Sequence, residues 1–152
     1  MKELVEQIAC LQNKLREIPE MWAWLAGVID GEGTLTFKNR TPALIMSAKD
    51  TTMMERASIL IGKEMVPTKI ERYPGTIYWL IQAYTRQIPV VLEKTVPYLT
   101  AKKEQAELIL RFLDETDEKV KDEIIALVHK LNEKSKPDER YKSKTIHVIR
   151  RG

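Results

Sequence analysis

Residues 24–33, Trp-Leu-Ala-Gly-Val-Ile-Asp-Gly-Glu-Gly, constrain this chain more than any other stretch. The run starts as an apolar, small-residue helix and ends in two acids set between glycines. Gly27 inside a helical pattern costs about 1 kcal/mol relative to alanine. Asp30 and Glu32 fall at the helix C-terminal end, where the macrodipole disfavours anions. Features that cost stability persist when something else requires them. A close neighbour accounts for the glycine, and a bound cation accounts for the two acids.

The remaining composition narrows the partners. With 152 residues, 43% hydrophobic and 31% charged, the chain is long enough for one domain with a real core. No apolar run reaches the roughly 18 residues of a membrane span. The start, MKELVEQIAC, carries acids and no secretory hydrophobic region, so an intracellular protein is expected, with no membrane partner. Cys10 is the single cysteine, and His129 and His147 are the two histidines. Metal chemistry therefore falls to oxygen ligands and magnesium-like cations. The net charge is +3, and the positive excess lies in residues 33–100 and 134–152. That distribution fits a polyanion partner, and it also fits solubility alone.

Periodicity divides the chain into ten elements. Leu4, Ile8, Leu11 and Leu15 predict a helix over 2–17. Pro19 opens a second helix that stops near Ile29, at the glycines. Leu35 and Phe37 alternate with Thr34, Thr36, Lys38 and Arg40, which predicts a half-buried strand with a basic, polar face. Thr41-Pro42 reads as the turn, followed by a strand over 43–49. Asp50 or Thr51 caps a third helix. Strands follow at 66–72 and 76–84, joined by the turn dipeptide Pro74-Gly75. Helices are expected over 85–96, 102–113 and 117–133. The fold class is α+β: a four-stranded antiparallel sheet with helices on one face. By alternation Lys69 and Glu71 join the other face, which is either simply solvated or made to lie in a DNA groove.

At Leu25–Gly33 the chain resembles the LAGLIDADG homing endonucleases. LAGVIDGEG keeps the Leu-Ala-Gly opening, the Asp-Gly pair and the closing acid-glycine. The following αββαββα order is similar to the family core, so the likeness spans about residues 19–115. Residues 1–18 then read as an N-terminal helical extension and residues 134–152 as a basic C-terminal extension of a single endonuclease domain.

The resemblance implies a function. One motif in a short chain implies a homodimer acting on a long, near-palindromic double-stranded DNA site. Ala23, Ala26, Gly27 and Asp30 recur at helical spacing and form the expected dimer interface, where small side chains let two helices approach closely. Glu32 is the implied metal ligand, with the carbonyl of Gly31 assisting and Asp30 in a supporting place. Many members have aspartate at the ligand position, and glutamate carries the metal one methylene further out. Lys102, in Pro97–Lys102, is the implied basic residue beside the scissile phosphate. The expected cofactor is Mg²⁺ or Mn²⁺, with Ca²⁺ binding but not supporting cleavage. Each subunit would cut one strand, leaving short 3′ overhangs. Lys49 and Arg56 are candidates for ordering solvent near the metal.

Base recognition is expected from Thr34, Thr36, Lys38 and Arg40, which share the parity of Glu32, and from Ile45, Ser47, Lys49, Lys69, Glu71 and Tyr73. The basic C-terminal residues, among them Arg140, Lys142 and Lys144, would add phosphate contacts. Two other functions remain open on the same fold: an RNA-binding maturase that assists intron splicing, and a DNA-binding protein that does not cleave.

Overall fold

A computed structural model describes residues 1–134. The elements are α1 (Lys2–Arg16), α2 (Pro19–Glu32), β1 (Gly33–Lys38), β2 (Thr41–Ala48), α3 (Thr51–Ile61), β3 (Val66–Lys69), β4 (Ile77–Ala83), α4 (Ile88–Thr95), a 3-10 turn (Val96–Tyr98), α5 (Lys103–Asp114) and α6 (Glu118–Lys134). The four strands form one antiparallel sheet in the order β1-β2-β4-β3. The α+β class and the element order expected from the sequence are those observed. No helix among the described residues is long and apolar enough to cross a membrane.

Alternation sorts each strand into two faces. Leu35 and Phe37 of β1, Leu44 and Met46 of β2, and Ile81 and Ala83 of β4 point towards the helices and are buried. They meet Trp22, Leu25, Ala26 and Ile29 of α2, Met54 and Leu60 of α3, Ile88 and Leu92 of α4, and Ile109 and Phe112 of α5 in one core. Phe112 packs on Phe37 with ring centroids 4.7 Å apart. Along the edge strand β1, Asn132 of α6 donates to the Leu35 carbonyl at 2.9 Å. His129 lies 3.2 Å from the Phe37 carbonyl. Helix α6 thus occupies backbone groups that an open sheet edge would leave exposed.

Three boundaries differ from the sequence reading. Helix α2 does not stop at Ile29 but continues through Gly31 to Glu32. Packing of its inward face holds the last turn in helical form despite the glycines. The β1–β2 connection is Asn39-Arg40, with Asn39 at φ 57°, and Thr41 and Pro42 belong to β2. Asparagine tolerates that left-handed conformation. Pro42 is accommodated because it follows the hydrogen-bonded pair closing the hairpin and precedes Leu44, where pairing with β4 begins. Strand β3 ends at Lys69 rather than Arg72, and Glu71 and Tyr73 fall in the turn that follows.

Helix α1 is tied to the domain by polar groups rather than by a buried face; none of its residues is buried. The Arg16 guanidinium donates to the carbonyls of Leu60 (3.0 Å) and Ile61 (3.3 Å), and the Gln12 amide donates to that of Ile59 (3.0 Å). These are the orphan carbonyls at the end of α3, where a cation is also favoured by the dipole. Trp22 donates to the Arg16 carbonyl at 2.8 Å and closes the joint with α2.

The junction of α2 and β1 depends on Gly33. A Cβ there would lie 2.9 Å from the Ile29 carbonyl oxygen and 3.1 Å from the Ile29 Cα, both backbone atoms. Gly33→Ala is therefore expected to lower unfolding stability by about 1–3 kcal/mol, the usual range for overpacking. Denaturant titration checks this, and an unchanged midpoint would show that the junction yields without cost.

Candidate functional site

The end of α2 gathers four of the residues singled out in the sequence, Asp30, Gly31, Glu32 and Lys102, and it treats its two acids differently. The Asp30 carboxylate accepts hydrogen bonds from the backbone N–H of Thr100 (2.8 Å) and of Lys102 (3.0 Å). Lys102 is the residue that opens α5, so Asp30 supplies the negative charge favoured at that helix N-terminus. In return the Lys102 Nζ donates to the backbone carbonyl of Asp30 at 2.6 Å, at the negative end of α2. The expectation that a bound cation accounts for both acids is thus corrected for Asp30. Two backbone N–H groups at the start of α5, within the same chain, account for it.

Glu32 is different. It is exposed at the last position of α2, and its carboxylate has no hydrogen-bond or ion-pair partner among the described residues. Gly31 precedes it in the last helical turn and is also exposed. Lys102 reaches the same helix end at the Asp30 carbonyl. A carboxylate and a backbone carbonyl are hard oxygen donors of the kind that suit Mg²⁺, Mn²⁺ or Ca²⁺. Among the described residues no three His, Cys, Asp or Glu side chains come together to hold a metal ion. The described residues thus offer fewer oxygen donors than such a cation takes.

Asp30 therefore locks the loop before α5 onto α2 and fixes where Lys102 stands. Asp30→Ala removes the acceptor of two backbone donors. It is expected to cost about 2 kcal/mol or more in stability, because bonds to a charged acceptor exceed neutral ones. Asp30→Asn, which retains a carbonyl acceptor, should recover part of that loss. Thermal melts of the two variants check the order, and equal melting temperatures for Asp30→Ala and the parent would contradict it.

The face of α2 turned away from the core also departs from the sequence reading. Trp22, Leu25, Ala26 and Ile29 point inward, with Ala26 at 0% exposure. Ala26 and Asp30, expected at a dimer interface, are thus committed within the chain: one to the core, the other to the α5 loop. The outward face is formed by Ala23, Gly27 and Gly31, flanked by Trp24 and Val28. Gly27 and Gly31 are exposed, and a Cβ built on either would meet nothing within 4 Å. Nothing inside the subunit requires glycine at these positions. Arg56 of α3 lies over the Trp24 ring, 5.0 Å from its centroid, beside this face.

The sheet surface turned from the helices carries most of the residues expected to read bases. Thr34, Thr36 and Lys38 of β1 are exposed or partly so, as are Ile45 and Ser47 of β2. Ile45 lies opposite Thr34. Lys38 reaches the Tyr84 hydroxyl at 3.4 Å and lies over its ring, while Lys49 lies over the ring of Tyr78.

Arg40, Lys69, Glu71 and Tyr73 do not join this surface. Arg40 is in the hairpin turn, where its guanidinium pairs with Asp122 and Glu118 of α6. Those acids, Asp122 foremost, raise its pKa. Lys69 pairs with Ile77 and shares its parity with Trp79 and Ile81, on the helix side. Glu71 and Tyr73 lie beyond the strand. Arg140, Lys142 and Lys144 lie outside the described residues.

Sequence reasoning missed Tyr78, Leu80 and Gln82 of β4 and Thr68 of β3, which the pairing places on the open surface. The alternation around the buried pair Ile81 and Ala83 carried that signal.

No protein-family model matches this chain, and no curated protein matches it. Its fold is similar to solved structures of the homing endonuclease I-CvuI. One is a complex with the I-CreI target (C1221) in 2 mM Mg, with the DNA not cleaved. It has a TM-score of 0.55 at 20% identity, covering 77% of this chain and 83% of that one. The other is a complex with its own target (Sro1.3) in 2 mM Ca. Its TM-score is 0.56 at 20% identity, covering 79% of this chain and 85% of that one. The four-stranded sheet with its helices is thus the homing-endonuclease fold.

Proposed function

We propose that this chain is a LAGLIDADG homing endonuclease of the single-motif type. It acts as a homodimer that hydrolyses phosphodiester bonds on both strands of a long, near-palindromic double-stranded DNA site. The whole chain serves as one endonuclease domain, with residues 1–18 and 134–152 as extensions. The observation that carries this reading is a pair of open glycines, Gly27 and Gly31, on the helix that ends in the unpaired carboxylate of Glu32. Two copies of α2 packed through these glycines bring two Glu32 side chains to the centre of the assembly. The DNA complexes of the similarly folded I-CvuI support the choice of polymer.

In this reading Glu32 and the Gly31 carbonyl hold a divalent cation, Mg²⁺ or Mn²⁺, against the phosphate backbone. When bound, such an ion supplies positive charge that offsets the negative charge developing during hydrolysis. Lys102 sets an ammonium beside the scissile phosphate, and Asp30 holds the segment that carries it. Thr34, Thr36, Lys38, Ile45, Ser47 and Lys49 face the groove, joined by Tyr78, Leu80 and Gln82. Basic residues after α6, including Arg140, Lys142 and Lys144, add phosphate contacts whose strength falls with salt.

Incubating the full chain with a randomised duplex library separates this function from the others the fold allows. In Mg²⁺ the expected product is a double-strand break with short 3′ overhangs at one near-palindromic sequence, and in Ca²⁺ the same sequence is bound intact. Binding without breaks in Mg²⁺ or Mn²⁺ would favour a non-cleaving DNA-binding protein. Retention of structured RNA with no duplex DNA bound would favour a maturase.

A further inference from the structure

The open face of the sheet is not uniformly polar, and its apolar members are grouped. Ile45 lies opposite Gln82, and Ser47 lies opposite Leu80. Ile45, Leu80 and Gln82 are therefore immediate neighbours across β2 and β4, and all three are partly exposed. Ile45 and Leu80 take no part in the core cluster or in the layer packed against it. The Gln82 amide makes no hydrogen bond to any described residue. Its atoms remain accessible, since no buried side-chain polar atom lacks a partner.

The surroundings of this group are cationic and aromatic. Lys38 over Tyr84 stands towards the hairpin end, and Lys49 over Tyr78 stands towards the other. Along β2 the levels of the two lysines, Thr41 and Lys49, are separated by about 26 Å of extended chain. That length matches about eight base pairs of rise. Ile45 sits at its midpoint.

We propose that Ile45, Leu80 and Gln82 together read one A·T base pair in each half-site; this rests on the DNA-endonuclease reading above. In the major groove adenine offers the N7 acceptor and the N6 donor, which match the amide of glutamine in a two-bond contact. The thymine of the same pair turns its methyl group into the groove, and an aliphatic surface receives it. Directly opposed residues on a sheet have Cβ atoms about 5 Å apart, so an amide and an aliphatic side chain can address one base pair together. A G·C pair offers no methyl group, and guanine presents two acceptors where the amide has one donor and one acceptor to satisfy.

Selection from a random duplex pool in Ca²⁺, followed by sequencing of the bound fraction, tests this. The wild-type chain should enrich one A·T pair at two symmetric positions, by about ten-fold or more over other pairs. Gln82→Ala should flatten the preference at those positions and leave the rest of the motif unchanged. Gln82→Glu should move it towards cytosine, whose N4 donor a carboxylate accepts. In the selected duplex, deoxyuridine in place of the two thymines removes only the methyl groups and should weaken binding about four-fold per site. The same motif from wild type and Gln82→Ala would overturn the proposal. So would undiminished binding of the deoxyuridine duplex. A wild-type pool with no enriched sequence would instead overturn the DNA reading on which the proposal stands.

Discussion

Glu32→Gln is expected to lower the cleavage rate in Mg²⁺ by about 10³-fold or more while leaving binding of the target in Ca²⁺ nearly intact. The size follows from the role. A cation held at a reacting phosphate contributes several kcal/mol of charge stabilisation, and each 1.4 kcal/mol is about ten-fold in rate. The separation of cleavage from binding follows from the geometry. Glu32 is exposed at the last position of α2 and holds nothing within the chain, so its loss does not disturb the sheet proposed to face DNA. Glutamine preserves shape and one oxygen but removes the charge that attracts a divalent ion. Asp30→Asn is the informative companion. Its side chain serves the α5 loop, so that variant should lose stability more than metal dependence. Single-turnover cleavage and filter binding measure the two quantities. Wild-type cleavage by Glu32→Gln would remove Glu32 from the metal role.

Gly27→Leu and Gly31→Leu should act in the opposite way, sparing the subunit and breaking the pair. Inside one subunit a Cβ at either position has nothing within 4 Å. Relief of the glycine penalty even favours the helix, by up to about 1 kcal/mol. Across a two-fold axis each added side chain enters twice. An overpacking cost of about 1–3 kcal/mol per chain then raises the dimer dissociation constant about 30-fold or more. Sedimentation should show a monomer with an unchanged or higher melting temperature, and cleavage should disappear with the dimer. A variant that stays dimeric would mean that these glycines face solvent for no reason of assembly.

The fold was legible where periodicity is strong. Leu35 and Phe37 alternating with threonines located β1, and Leu4, Ile8, Leu11 and Leu15 located α1. The candidate site was legible only in part, because several of its residues are defined by partners far along the chain. Asp30 meets Thr100 and Lys102, and Arg40 meets Glu118 and Asp122. A local pattern read Asp30 and Arg40 as open to ligands.

Ala26 shows a different limit. Alanine suits a core as well as a close helix contact, so small-residue spacing did not choose its side. The apolar set Trp22, Leu25, Ala26 and Ile29, at intervals of three, one and three, does choose it. Lys69 stands on a short edge strand, Val-Pro-Thr-Lys, with no alternation of its own. Its parity comes from pairing with β4.

The most direct test places a single cysteine on the outward face of α2. In a Cys10→Ser background, Gly27→Cys and Gly31→Cys each put a thiol where two helices are held to meet. A disulfide needs Cα atoms about 4.4–6.8 Å apart, a separation that only close, symmetric helix pairing provides. The account predicts rapid formation of a covalent dimer under mild oxidation by at least one of the two variants, at micromolar protein and without DNA. A control with cysteine at exposed Glu55 should stay monomeric. Both α2 variants remaining monomeric beside that control would contradict the pairing on which the proposed two-fold active site depends.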